Sequence, residues 1–248
     1  MALPKRIHPD SIREAIVEVR YVSSLPLELL VGIFFTAFDD TYFYADRPLK
    51  TPVMVPGPVN NGPEINIQIG RPSILYNKKI SIQFLPQSFV FSCLNQYIGW
   101  EDYQPEIEKA LKVLHNTGKI SSYTRIGLRY ITEYVDQDLR QITGFDYRFG
   151  LPDVDSVAIA FKSEFKYEGK KAIVNLHNKL PAYFHEGSPA SLVTREISRI
   201  DIDVFIEDLL IHDTAHLLHE IENVHDSEKR LFFGMLRADF LDTLNPEY

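Results

Sequence analysis

Residues 14–22 read Glu-Ala-Ile-Val-Glu-Val-Arg-Tyr-Val. Successive side chains of an extended chain point to opposite faces, so Ala15, Val17, Val19 and Tyr21 share one side, and Glu14, Glu18 and Arg20 the other, with Ile16 the exception. The segment is a half-buried strand, and it implies a sheet with one apolar and one polar face. Ile65, Ile67 and Ile69 repeat the pattern, as do Ile80, Ile82 and Phe84. Further strands are expected near 64–70, 73–84, 88–95, 122–135, 155–167, 171–180 and 196–206. Helical spacing appears at 27–38 behind Pro26, at 100–115 with Pro105 early and Gly118 just beyond, briefly near 137–143, and at 214–236. The fold class expected is α+β, a large and mostly antiparallel sheet with helices mainly on one face. Residues 1–248 form one domain in this reading. Its halves, 1–118 and 119–248, each run strand, helix, three strands, helix, which suggests an internal duplication.

The chain has 248 residues and is 45% apolar, enough for a substantial core. The apolar run at 25–38 contains Pro26 and Glu28 and falls short of a membrane span, and no apolar leader follows the basic N-terminal residues. A single cysteine, Cys93, lies in a strand pattern and reads as a small core residue, so a reducing, cytoplasmic location is expected. Net charge is −8, and nine Asp or Glu with no Lys or Arg fall between Asp201 and Glu228. The remainder is close to neutral, which disfavours a duplex-coating nucleic-acid binder. Residues 45–63 hold five prolines and two glycines and read as a connector that could cover a site.

Three short patterns stand out: Tyr97-Ile-Gly-Trp100-Glu-Asp-Tyr103, Arg125-Ile-Gly-Leu-Arg129-Tyr130-Ile131, and Asp201-Ile-Asp203 followed by His225 and Phe232. Together with the 14–20 strand they resemble a sporadically distributed family of uncharacterised bacterial proteins of similar length. The resemblance covers the whole chain and implies a prokaryotic source. It brings no assigned activity, substrate or catalytic residue. Members usually carry Asn where this chain has Thr132.

The polar sheet face carries the candidate site. Arg125, Gly127 and Arg129 share one side of a strand, which stands two guanidiniums about 13 Å apart across a glycine. Guanidiniums grip carboxylate or phosphate with paired donors, so the arrangement suits an anion. Asp201 and Asp203, spaced the same way, would neutralise them if their strand is adjacent. The two aspartates could instead hold a divalent ion, with His177 or Glu164 completing the set. His212, His216 and His219 form a helical stripe that faces solvent, and His225 reads as a satisfied core histidine. No Walker loop, dinucleotide fingerprint, nucleophile elbow or cysteine pair is present.

The expected function is a non-catalytic binding or interaction module. Arg20, Arg125, Arg129, Asp201 and Asp203 would hold a small anionic ligand or an unknown protein partner, with no cofactor. A homodimer is the expected form of self-association. The alternative is a divalent-metal-dependent hydrolase or nuclease built on Asp201 and Asp203.

Overall fold

Strand β1 (Ile12–Ser23) runs through the middle of one sheet, antiparallel to β5 (Ser88–Cys93) on one side and to β6 (Ile120–Val135) on the other. The computed structural model describes residues 3–38, 41–46, 73–145, 159–185 and 192–248. Among the described residues the sheet has nine strands in the order β2-β3-β4-β5-β1-β6-β9-β8-β7. The others are β2 (Phe43–Ala45), β3 (Ser73–Tyr76), β4 (Ile80–Leu85), β7 (Ile159–Tyr167), β8 (Lys170–His185) and β9 (Leu192–Ile206). Every pairing is antiparallel. The helices are α1 (Leu27–Ala37), α2 (Trp100–Asn116), α3 (Leu139–Ile142), α4 (Thr214–Met235) and α5 (Ala238–Thr243). The α+β class read from strand alternation is the architecture observed.

The strand order is symmetrical about the β1–β6 pair. Outward from β1 come β5, β4 and β3; outward from β6 come β9, β8 and β7. The first strand of each half thus lies at the centre, and the three that follow the next helix fold back from the edge towards it. Among the described residues β2 and α5 have no counterparts.

Alternation decides which face the helices cover. Ala15, Val17, Val19 and Tyr21 are buried in one core with Leu30 and Phe34 of α1, Tyr103, Ile107 and Leu111 of α2, and Leu217, Ile221 and Val224 of α4. The Tyr103 hydroxyl donates to the Ala15 carbonyl at 3.3 Å, which seats α2 directly over β1. Phe34, Phe84 and Phe89 meet edge to face at centroid distances of 5.0–5.1 Å, a favoured aromatic geometry.

Local chemistry sets the turns. The stretch expected as one strand over 73–84 divides because Asn77 Oδ1 accepts from the amides of Lys79 and Ile80, both at 2.8 Å, and turns the chain. Glu168 and Gly169, at φ 49° and 78°, make the two-residue connection of β7 to β8 that suits the twist of paired strands. Asp213 caps α4 by accepting from the His216 amide at 2.8 Å. His212 therefore precedes the helix, with its Nδ1 2.7 Å from the Ser121 carbonyl, and the expected three-histidine stripe does not form. The strand expected at 64–70 and most of the proline-rich stretch 45–63 lie outside the described residues. Among the described residues no helix is long and apolar enough to cross a membrane.

Candidate functional site

On the polar sheet face the five expected residues do come together, because β6 lies between β1 and β9. The register places Arg129 opposite Asp203 and Glu18 opposite Gly127, and the ion pairs form on the diagonals. Arg129 donates through Nε and Nη2 to both oxygens of Asp201, each at 2.8 Å. Asn175 of β8 donates to the same carboxylate at 3.1 Å. Arg125 is bound by Glu18, with Asp203 at 3.8 Å and Glu207 at 3.9 Å around it, and its guanidinium lies over the Phe205 ring. Arg20 donates to Glu18 at 2.8 Å. Burial raises the Asp203 carboxyl above its ordinary value, against the opposing pull of Arg125 and Arg129.

The space above Gly127 is filled from within the strand. A Cβ built on Gly127 would lie 2.6 Å from Arg125 Nη1, so the glycine makes room for the neighbouring guanidinium rather than for a ligand. Each of the three arginines is already bound by carboxylate. Across β9, His177 stands opposite Arg199, and Arg199 itself donates to Glu133 at 3.0 and 2.6 Å. Burial first, then Arg199, pushes the His177 imidazole below its ordinary value. Among the described residues, Asp201 and Asp203 belong to no group of three close enough to share a metal ion.

On the opposite, helix-covered side lies a cavity of about 650 Å³. Four pieces of chain wall it: the N-terminal segment with Lys5, Arg6, His8 and Asp10; the approach to α2 with Tyr97, Gly99 and Trp100; Tyr130 and Thr132 of β6; and the α4 face with Glu222, His225, Glu228, Lys229, Phe232 and Phe233. The N-terminal wall is strapped to the C-terminus. The Lys5 and His8 amides donate to the Glu247 and Leu244 carbonyls, and the Glu247 amide donates to the Arg6 carbonyl. Gly99 adopts φ 84°, a left-handed conformation that turns the chain from the β5 end into α2 and delivers Trp100 as its first residue.

Trp100 organises the floor. Its ring lies flat on the His225 imidazole, centroids 4.0 Å apart and planes at 3°, and its Nε1 donates to Glu222 at 2.7 Å. Tyr97 meets Tyr130 edge to face at 5.5 Å, with their hydroxyls 3.4 Å apart. Burial raises both phenols.

Two titratable groups on the α4 wall are buried without hydrogen bonds. His225 Nδ1 makes no hydrogen bond among the described residues, its nearest carboxylate being Asp226 at 3.7 Å, and the imidazole is pushed down to about 3, first by burial and then by Lys229. Glu228 is 5% exposed, and among the described residues nothing hydrogen-bonds its carboxyl. Burial pushes that carboxyl up to about 8, against the pull of Lys229. Near neutral pH the pair is therefore an uncharged acid and an uncharged imidazole one turn apart, able to donate and accept hydrogen bonds or to pass a proton. His225 is a core histidine, as its place in the sequence suggested, but its Nδ1 is not satisfied. Glu222, His225 and Asp226 have atoms within 4.8 Å of one another, close enough to share a cation. Glu222 is already engaged by the Trp100 indole, Asp226 is half exposed, and no fourth ligand joins them among the described residues.

Sequence reasoning passed over Glu228. The readable signal was its position: with Ile221, Val224 and Leu231 marking the buried stripe of α4, Glu228 falls on the same side one turn from Val224. No protein-family model matches the chain, and no curated protein sequence matches it.

Proposed function

We propose that this protein is a binding module whose ligand, a small organic molecule, occupies the cavity between α2, α4, β6 and the N-terminal segment. The observation that carries the reading is the pair Glu228 and His225 on the cavity wall: both residues are mostly buried, and among the described residues neither side chain makes a hydrogen bond. Buried polar groups are nearly always satisfied, and an unsatisfied one costs about 1–3 kcal/mol. A ligand that completes them returns that cost on binding. The cavity volume falls within the range of ordinary small-molecule sites, and its mix of aromatic walls with a few convergent polar groups is their usual composition.

The convergence of the three sequence motifs adds support. Tyr97, Trp100, Tyr130, His225 and Phe232, from all three motif regions, line this one cavity. The charged residues of the same motifs, Arg125, Arg129, Asp201 and Asp203, act instead as a neutralised ladder across the sheet. Native mass spectrometry of protein purified from cells tests the reading. A small-molecule adduct is expected on the wild type and on Arg129→Ala, and is expected to be missing from Glu228→Ala; an adduct that follows Arg129 instead would return the site to the sheet face.

A second copy of the chain is the partner proposed for α1. Leu29 and Ile33, one turn apart on that helix, are 58% and 39% exposed, an apolar pair of the kind found at association surfaces. Light scattering is expected to report a dimer that Leu29→Glu with Ile33→Glu converts to monomer; an unchanged mass would remove this partner. We keep the cytoplasm as the proposed location, on the single buried Cys93.

A further inference from the structure

We infer that the cavity takes a neutral planar heterocycle of the nucleobase class, its edge bound by Glu228 and His225 and its faces by the surrounding aromatic rings. The inference rests on the cavity reading above and narrows it to a ligand chemistry.

Two features of the wall select that chemistry. The first is the polar pair. Glu228 and His225 lie three residues apart on α4, so both project from one face of the helix into the cavity. A carboxyl that carries its proton offers an O–H donor beside a carbonyl acceptor. The Watson–Crick edge of a base presents the complementary pair, a ring nitrogen acceptor beside an N–H, or a ring N–H beside a carbonyl. Two parallel hydrogen bonds then form with no net charge moved into the interior. An ion of either sign would be stripped of water in exchange for a group that is itself uncharged, which is unfavourable.

The second feature is the aromatic lining. Tyr97, Trp100, Tyr130, Phe232 and Phe233 come from three separate elements and converge on the same space. A flat ring recognised by stacking and by its hydrogen-bonding edge is how extruded bases are held by proteins that read them singly. The Trp100 face towards α4 is already covered by His225, so that stack forms part of the wall and fixes the imidazole plane. Charged groups also line the cavity: Lys229, Asp226 and Glu222 on α4, and Lys5, Arg6 and Asp10 on the N-terminal segment. Of these, Lys229 is the one that opposes the protonated state of Glu228, while Tyr97 and Tyr130 face it from the approach to α2 and from β6.

Calorimetric titration with adenine, uracil, benzylammonium and benzoate tests the inference on the full chain. The variants are Glu228→Gln, Glu228→Ala and Trp100→Ala, each checked for fold by circular dichroism. The amide of Glu228→Gln keeps a donor beside an acceptor and never ionises. At least one base is expected to bind with one-to-one stoichiometry, and both ions at least about tenfold more weakly. Glu228→Gln should stay within about threefold of the wild type, and Glu228→Ala should lose about tenfold or more. Wild-type affinity should also fall above pH 8 while that of Glu228→Gln does not. Failure of both bases to bind, tighter binding of either ion, or full affinity in Glu228→Ala would overturn the inference. If an ion binds in the wild type and is lost in Trp100→Ala, the cavity reading stands and only the ligand class falls. If no probe's binding changes in Trp100→Ala or Glu228→Ala, both fall.

Discussion

Trp100 covers the His225 imidazole face to face, 4.0 Å between centroids, and by doing so ties the start of α2 to the middle of α4. The same indole donates to Glu222, one turn earlier on α4. Trp100→Ala removes the stack, the hydrogen bond and part of the cavity wall. Thermal or denaturant unfolding is expected to show a loss of about 3 kcal/mol, in the range of aromatic truncations. Trp100→Phe keeps a ring on His225 and loses the donor to Glu222, so it should cost about 1 kcal/mol. Equal costs for the two variants would mean that the stack does not hold the helices together.

Stability should depend on pH through Glu228 and His225, with opposite signs. Glu228 binds its proton more tightly folded, at about 8, than unfolded, near its ordinary 4.5, so its contribution is full below pH 4.5 and is lost as pH rises to 8. His225 binds its proton less tightly folded, at about 3, than unfolded, near 6.5, so its contribution is full above pH 6.5 and is lost as pH falls to 3. Between pH 4.5 and 6.5 the two slopes oppose each other. Between about 6.5 and 8 the Glu228 slope acts alone, at no more than about 1.4 kcal/mol per pH unit. Denaturant melts across that window should show stability falling in the wild type and level in Glu228→Gln; a fall of the same slope in the variant would assign it elsewhere.

Gly127 carries its neighbour's side chain. A methyl at this position meets Arg125 Nη1 at 2.6 Å and forces the guanidinium off Glu18. Gly127→Ala is expected to cost about 1–3 kcal/mol, as overpacking does. The cost should largely vanish in an Arg125→Ala background, because the obstacle is then gone. A penalty that persists there would locate the strain in the backbone.

The sheet-face ladder should govern stability and leave the ligand alone. Arg125→Ala takes the nearest cation from Asp203 while Glu18 keeps Arg20, at an expected cost of about 2 kcal/mol. Arg129→Ala should cost more, about 3 kcal/mol, since it leaves the buried Asp201 carboxylate with Asn175 alone. Ligand affinity, measured by calorimetry on the folded variants, should stay within about twofold of the wild type in both. A tenfold loss in either would make the ladder part of the binding site.

Much of this fold could be read in the chain because alternation of period two is a direct record of which face is buried. The residues 15, 17, 19 and 21 singled out by their pattern are the buried ones, and Pro26 and Gly118 lie close to observed helix ends, while Pro105 falls inside α2 in its second turn. Strand order was not readable. Nothing in the sequence says that β1 pairs with β6 and β5 while β9 flanks β6, and it is this order that puts carboxylates within reach of Arg125 and Arg129. The Asn77 turn was missed because a single Asx hydrogen-bond pattern interrupts otherwise continuous β-favouring residues. The cavity residues were visible as motifs, Tyr97 to Trp100 and His225 to Phe232, but their chemistry depends on burial. Glu228 reads as one more acid in an acidic run until its helix is laid on the sheet.

Trp100 is the one tryptophan in the chain, so its emission reports on the cavity floor without a label. The decisive measurement is a fluorescence titration in which compounds released from the purified protein by acid are added back to refolded wild type, Glu228→Ala and Arg129→Ala. A saturable change of emission in the wild type and in Arg129→Ala, and none in Glu228→Ala, is the result expected if the ligand lies between Trp100 and Glu228. No change in the wild type, or a change that survives Glu228→Ala and disappears with Arg129→Ala, would contradict it.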